Sequence, residues 1–280
     1  MLAPADERKD RRVSARNDVF VDLTLEGDAV DRMVAGLDEA QWALDTPAPE
    51  WTIAHQIAHL AATFRLAGLA AADPAGFIAL AQQFGPDFNR NVRTALSPYL
   101  SAPPPALLAK WREERATAEQ ALAAVPAGQT VPWLVRPLPA PVLAAAGMME
   151  LFGHGQDIAD TLGVRPERTD RLRHLVDFAV RTWDFGYQAR GLDTPDVALR
   201  FEITAPSGGE VWEFGPTDAT ERITGPAADL CLLVTRRRHR ADLALTAVGT
   251  EADRWLDLAQ AYRGPAGPGR APGQFDTIAA

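Results

Sequence analysis

Along the first two-thirds of the chain, apolar residues recur every three or four positions. Beyond Gly191 a shorter stretch alternates apolar and polar residues instead. The first spacing puts side chains on one face of a helix, and the second on one face of a strand. Between Asp18 and Leu37, the residues Val19, Leu23, Val30, Met33, Val34 and Leu37 form one stripe, with Asp18 placed as an N-cap. The prolines of Thr46–Glu50 end this region, and a second helix is predicted from about Trp51 to Ala71. Asp73-Pro74 opens a third helical region to about Leu96, which Gly85-Pro86 kinks or splits. After the stiff connector Ser101–Pro105, an amphipathic helix covers 106–124 through Leu107, Leu108, Trp111, Ala118 and Leu122. A proline-broken stretch follows, whose Trp133–Pro137 either lines a pocket mouth or crosses the surface. Two more helices are predicted over 141–162, closed by Gly163, and over 169–190.

Past Gly191, Val197–Thr204 and Val211–Phe214 alternate around a Pro-Ser-Gly-Gly turn and read as a hairpin. Ala227–Thr235 fits a buried helix, Leu243–Val248 a strand and Ala252–Tyr262 a last helix. The fold class expected is therefore mainly α. A disordered leader over 1–16 precedes a helical domain over 17–190, then a small α+β domain over 191–264 and a flexible Gly/Pro-rich tail over 265–280.

Composition narrows the function. At 280 residues and 47% apolar content the chain can bury a large core. A formal net charge of −9 argues against a nucleic-acid partner, since the basic run Arg236–Arg240 is too short to reverse it. The single cysteine, Cys231, rules out an intramolecular disulfide and a cysteine-rich zinc site, and suits a reducing cytoplasm. Without a long apolar run or a signal-like start, a soluble cytoplasmic protein is expected, with no membrane partner. The partner expected is a small-molecule substrate, with a homodimer as the candidate assembly.

The chemistry concentrates in two helical segments about ninety residues apart. His55 and His59 lie four residues apart on one helix, and Glu150 and His154 four apart on another, so each pair can address one point. Three such N/O ligands from two facing helices, with one position open, make the ligand set of a catalytic zinc or similar divalent ion. Three of the five histidines of the chain fall in these segments.

The phrase Trp51-Thr-Ile-Ala-His55-Gln-Ile-Ala-His59-Leu60 resembles the W-T-x6-H-L signature of the DinB-like superfamily, specifically the N-terminal domain of mycothiol-dependent maleylpyruvate isomerase. Glu150-Leu-Phe-Gly-His154-Gly-Gln-Asp157 resembles that domain's second ligand segment. Thr235–Arg240, Ala252–Gln260 and Gly264–Arg270 resemble the ending of an actinobacterial branch whose C-terminal domain carries a "wyosine base formation" label. The resemblance implies an up-down four-helix bundle with a smaller domain beside it, and zinc held by His59, Glu150 and His154. It gives His55 no ligand role and leaves it to the surroundings of the site or the bundle core. It also implies mycothiol as a co-substrate, added to an unsaturated acid as a thiolate. The chain departs from the branch at Phe64, Gly147 and Gly153, which points to a pocket for a bulkier, more apolar substrate.

The remaining candidates each have two readings. Arg236 and Arg238 either recognise a carboxylate or form a solvated helix end. Asp157 either holds the second ring nitrogen of His154 or faces solvent. Cys231 is expected to be buried packing. The expected function is a metal-dependent isomerase or S-transferase acting on a small organic electrophile. The alternatives are a thiol-independent metal-dependent lyase, hydrolase or cyclase, and a small-molecule binding protein.

Overall fold

The computed structural model describes residues 18–134 and 136–275; the leader expected over 1–16 and the last five residues of the tail lie outside them. The helices begin where local chemistry favours it. Asp18 accepts from the Phe20 amide (2.9 Å) at the start of α1 (Val19–Val34), and Asp38 caps the single turn α2 (Glu39–Trp42). α3 (Ile53–Ala72) runs straight into Asp73-Pro74, which opens α4 (Pro74–Ala81). The expected break at Gly85-Pro86 is complete, and α5 (Phe88–Leu100) restarts on an Asp87 cap. α6 (Pro104–Ala124) uses Pro104 and Pro105 in its first turn, where no amide hydrogen is needed. Two short strands, β1 (Thr130–Val131) and β2 (Leu138–Pro139), pair antiparallel before α7 (Ala140–Leu162), which ends on Gly163 at φ +65°.

The most extensive helix pairing joins α3 to α6, and α7 closes against both α1 and α3. This sets the two candidate ligand helices, α3 and α7, side by side. Small residues permit close approach. Gly68 on α3 lies against the Ala118 backbone of α6, where an added Cβ would come within 3.1 Å.

The predicted helix over 169–190 is two elements, α8 (Leu172–Arg181) and α9 (Phe185–Gln188). The break frees the Trp183 carbonyl to accept the Trp255 indole N–H (2.8 Å). At α9 the chain passes so close to the Leu258 carbonyl that a Cβ on Gly186 would sit 2.0 Å from its oxygen.

Beyond it, β3 (Leu199–Thr204) pairs antiparallel with β4 (Val211–Phe214) as expected, and parallel with a strand the alternation did not predict, β5 (Glu221–Pro226). That strand, Glu-Arg-Ile-Thr-Gly-Pro, carries one large apolar residue, Ile223, so it has no hydrophobic period to read. α10 (Ala227–Val234), β6 (Thr246–Val248) and α11 (Thr250–Leu258) complete a four-stranded sheet of order β4-β3-β5-β6. The molecule is thus mainly helical, followed by a small sheet region. The connection near residue 191 is not a gap in packing, because α8 packs on both α7 and α10. No helix of the described residues is long and apolar enough to cross a membrane.

The ending is expected to be a flexible tail from residue 265. Through residue 275 it has no helix or strand, yet Arg270 reaches back to Asp157 (2.7 Å) and the Gly273 amide donates to Asp242 (2.9 Å). These contacts tie residues 270 and 273 to the body of the protein in a segment that composition alone marks as loose.

Candidate metal centre

α3 and α7 bring His59, Glu150 and His154 to one point, with one ligand atom from each lying within 4.8 Å of the others. A Glu150 oxygen stands 3.3 Å from His59 Nε2 and 3.2 Å from His154 Nε2. Trp51, two residues before α3, covers the histidines. Its ring stacks on His154 (5.8 Å between centroids, 18° between planes) and tilts over His59 (5.3 Å).

The His154 ring is oriented from behind. The Trp51 carbonyl accepts from the Thr46 hydroxyl (2.7 Å), so Thr46 Oγ1 is free to accept from the Gln56 side-chain amide (2.8 Å). That turns the Gln56 carbonyl oxygen to His154 Nδ1 at 2.5 Å, and a carbonyl only accepts. Nδ1 must carry the proton, leaving the Nε2 lone pair facing Glu150. Gln56 is fully buried, and its position in α3, next to His55 and one turn before His59, is the only sequence hint of this role.

Burial, followed by the charge of His59, pushes the His154 pKa down to about 4, so its ring is neutral at pH 7. Burial alone would raise the Glu150 carboxyl. The two histidine rings that face it outweigh burial and hold the group well below its ordinary value, as a carboxylate.

The other expected residues fall elsewhere. His55 turns back to the start of its own helix, with Nδ1 2.8 Å from Thr52 Oγ1 and accepting from the Thr52 amide at 3.3 Å. Burial lowers its pKa. Asp157 neither touches His154 nor faces solvent. It is fully buried and held between Arg237 (2.8 Å) and Arg270 (2.7 Å), and Gln56 takes the partner role expected of it.

The arginine run is neither a free carboxylate receptor nor a solvated end. Arg238 grips Asp160 through two nitrogens (2.7 and 2.8 Å) and stacks on Phe275, while Arg236 donates to the Gly267 carbonyl (3.3 Å). Charges drawn onto buried partners of α7 are spent on holding the sheet region and the ending to the helices. Cys231 is fully buried with its thiol pKa pushed up by that burial, which suits packing.

A cavity of ≈650 Å³ opens beside the cluster, with His59, Thr63 and Glu150 in its wall. Its remaining surface is largely apolar, from Leu23, Phe64, Leu122, Leu143 and Phe178 among others. Trp133, Leu134, Arg136 and Pro137 line it too, and Trp133 stacks on Phe77 (5.7 Å, 8°). Of the three positions expected to shape a pocket, two do. Phe64 is wedged edge-on against Trp111 (5.3 Å, 84°), and Gly147 faces Phe64 and Leu23 across the wall. Gly153 does not line the cavity. It makes room for the Arg237 guanidinium, which would lie 3.3 Å from an added Cβ and donates to the Gly153 carbonyl (3.0 Å).

Comparison with known proteins follows the same division of the chain. Residues 23–159 match the family described as mycothiol maleylpyruvate isomerase N-terminal domain, and residues 195–248 the one described as wyosine base formation. Uncharacterized proteins from two strains of Mycobacterium tuberculosis are each 43% identical over 249 residues, covering 89% of this chain and 96% of theirs. Among solved structures, a mycothiol-dependent maleylpyruvate isomerase superposes with a TM-score of 0.51 at 17% identity, over 82% of this chain and 91% of that one. A point mutant of that isomerase gives 0.50 at 17% identity, over 77% and 86%. At this identity the likeness is one of fold.

Proposed function

Because this chain belongs to the family of those mycobacterial proteins, with a mycothiol maleylpyruvate isomerase N-terminal domain followed by a wyosine base formation domain, we propose that it is a metal-dependent isomerase or S-transferase. It acts on a small organic electrophile with a low-molecular-weight thiol such as mycothiol as co-substrate. His59, Glu150 and His154 are the metal ligands.

One observation carries the metal reading. The donor chain through Thr46 and Gln56 leaves the His154 Nε2 without a hydrogen, aimed at a carboxylate oxygen 3.2 Å away. Two acceptors at that distance repel unless a cation lies between them, and the low His154 pKa disfavours a proton in that role. The spacing suits a metal. Ligand bonds of ~2.0–2.1 Å in a tetrahedron give edges of roughly 3.3 Å, which matches both nitrogen–oxygen separations. Two imidazoles and one carboxylate are the donors zinc or a similar divalent ion accepts, with a fourth position left for another ligand.

Such an ion would lower the pKa of a bound thiol and so supply a thiolate at neutral pH. Around it, the protein's own groups do the rest. Gln56 fixes the His154 tautomer, the Trp51 ring covers the histidines from one side, and the apolar cavity wall keeps water from the electrophile.

The test is metal content first. Purified protein should carry about one divalent ion per chain, and His59→Ala and His154→Ala should each lose it; full occupancy in both variants would overturn the ligand assignment. Titrating mycothiol into cobalt-substituted protein should produce an intense near-ultraviolet sulfur-to-metal band. Absence of that band, with turnover in a thiol-free assay, would transfer the reading to a thiol-independent lyase, hydrolase or cyclase.

A further inference from the structure

The cavity wall reverses the charge of the chain that builds it. The protein carries 37 acidic against 28 basic residues, yet the charged side chains lining this cavity are three arginines, Arg136, Arg181 and Arg263, and one carboxylate, Glu150. They come from three separate places: Arg136 from the loop between β1 and β2, Arg181 from the end of α8, and Arg263 from the segment after α11. All three are exposed residues, and together they give the wall of a mostly apolar cavity a positive balance of charge that an anionic ligand can use.

Their pairing leaves capacity for a ligand. Arg181 holds Asp177 (2.6 Å), four residues back on its own helix. The Arg263 guanidinium carbon lies over the Phe185 ring, 4.3 Å from its centroid, a contact that uses none of its N–H donors on a carboxylate. Neither Arg263 nor Arg136 makes an ion pair with any carboxylate among the described residues. These guanidiniums therefore differ from Arg237, Arg238 and Arg270, whose carboxylate partners are buried beside them.

Resting on the functional reading above, we infer that the substrate is an amphipathic organic anion: its carboxylate is held by Arg263 and Arg136, and its apolar body lies along the Leu143–Phe178 wall. A volume of ≈650 Å³ fits a molecule well beyond a compact diacid. The wall offers such a body aliphatic and aromatic surface and few hydrogen-bonding groups, so binding energy comes from burial and the guanidiniums select the charged end. His59 and Glu150 line the same cavity, so a molecule bound there also meets two of the proposed metal ligands.

The experiment compares decanoate with 1-decanol, which share a chain and differ in charge, by titration calorimetry on the full-length protein as purified and after chelation. Decanoate should bind one per chain and about five-fold more tightly than the alcohol, in both forms. The double variant R136Q/R263Q should lose this preference while keeping its affinity for 1-decanol, which also shows that the variant is folded. Equal binding of acid and alcohol by the native chain, or a preference that survives in the double variant, overturns the inference. So does a preference lost on chelation with the arginines intact, since it would assign the carboxylate to the metal. Conversely, an intact preference in a protein that never carries metal would sustain the anion site while removing the metal reading.

Discussion

Replacing Gln56 with leucine tests whether the ring behind the proposed metal is set by its hydrogen bond. The side chain is fully buried, its carbonyl oxygen lies 2.5 Å from His154 Nδ1, and its amide donates to Thr46 Oγ1 at 2.8 Å. In Gln56→Leu the Nδ1–H has no acceptor, and leaving a buried donor unmet costs about 1–3 kcal/mol. The ring can relieve that cost by moving its proton to Nε2, which removes the lone pair the metal needs. Loss of such a supporting partner typically lowers metal affinity about 10–100-fold, or about 1.4–2.7 kcal/mol, in the same range as the unmet hydrogen bond. Thr46 keeps its bond to the Trp51 carbonyl, so the turn before α3 should hold. Gln56→Glu retains an acceptor at the same place and should stay within a few-fold of the native chain. Zinc affinity measured by competition with a chromophoric chelator, alongside circular dichroism to confirm the fold, reads both variants. Native affinity in Gln56→Leu, or an equal loss in Gln56→Glu, would refute the argument.

Three further outcomes follow. Asp157→Ala strands the Arg237 and Arg270 guanidiniums in a buried site, and breaking such a pair costs about 3–5 kcal/mol, so thermal denaturation should shift down by on the order of 10 °C; a shift under about 2 °C would show that the pairs contribute little. Cys231, fully buried with a raised thiol pKa, should resist Ellman's reagent in native protein and react with one equivalent in denaturant; rapid native reaction would contradict its burial. A chain ending at residue 190 keeps the α1, α3, α6 and α7 contacts but exposes the apolar face of α8 and unpairs Asp157 and Asp160. It should be strongly helical by circular dichroism yet melt well below the full chain, and a random-coil spectrum would move the boundary away from residue 191.

What the sequence determined by itself is what depends on neighbours a few residues away. Helical spacing put Glu150 and His154 on one face of α7, Asp18 and Asp73-Pro74 marked helix starts, and Gly85-Pro86 marked a break, because capping and periodicity act within one or two turns. Family signatures added the choice of His59 over His55. The physical ground for that choice is tertiary: both sit on α3, but His55 occupies the first turn and bonds back to Thr52, while His59 meets Glu150 across the α3–α7 contact.

Partners distant in sequence could not be read from spacing. Gln56 supports His154 from 98 residues away, Asp157 is claimed by Arg237 and Arg270 from 80 and 113 residues away, and β5 exists because β3 and β6 offer it hydrogen bonds on either side. Arg136, Arg181 and Arg263 carry no local pattern at all; only packing brings them to one cavity. A buried carboxylate or unpaired strand takes whichever partner the fold presents, and that selection is made by non-local packing and desolvation rather than by local propensity.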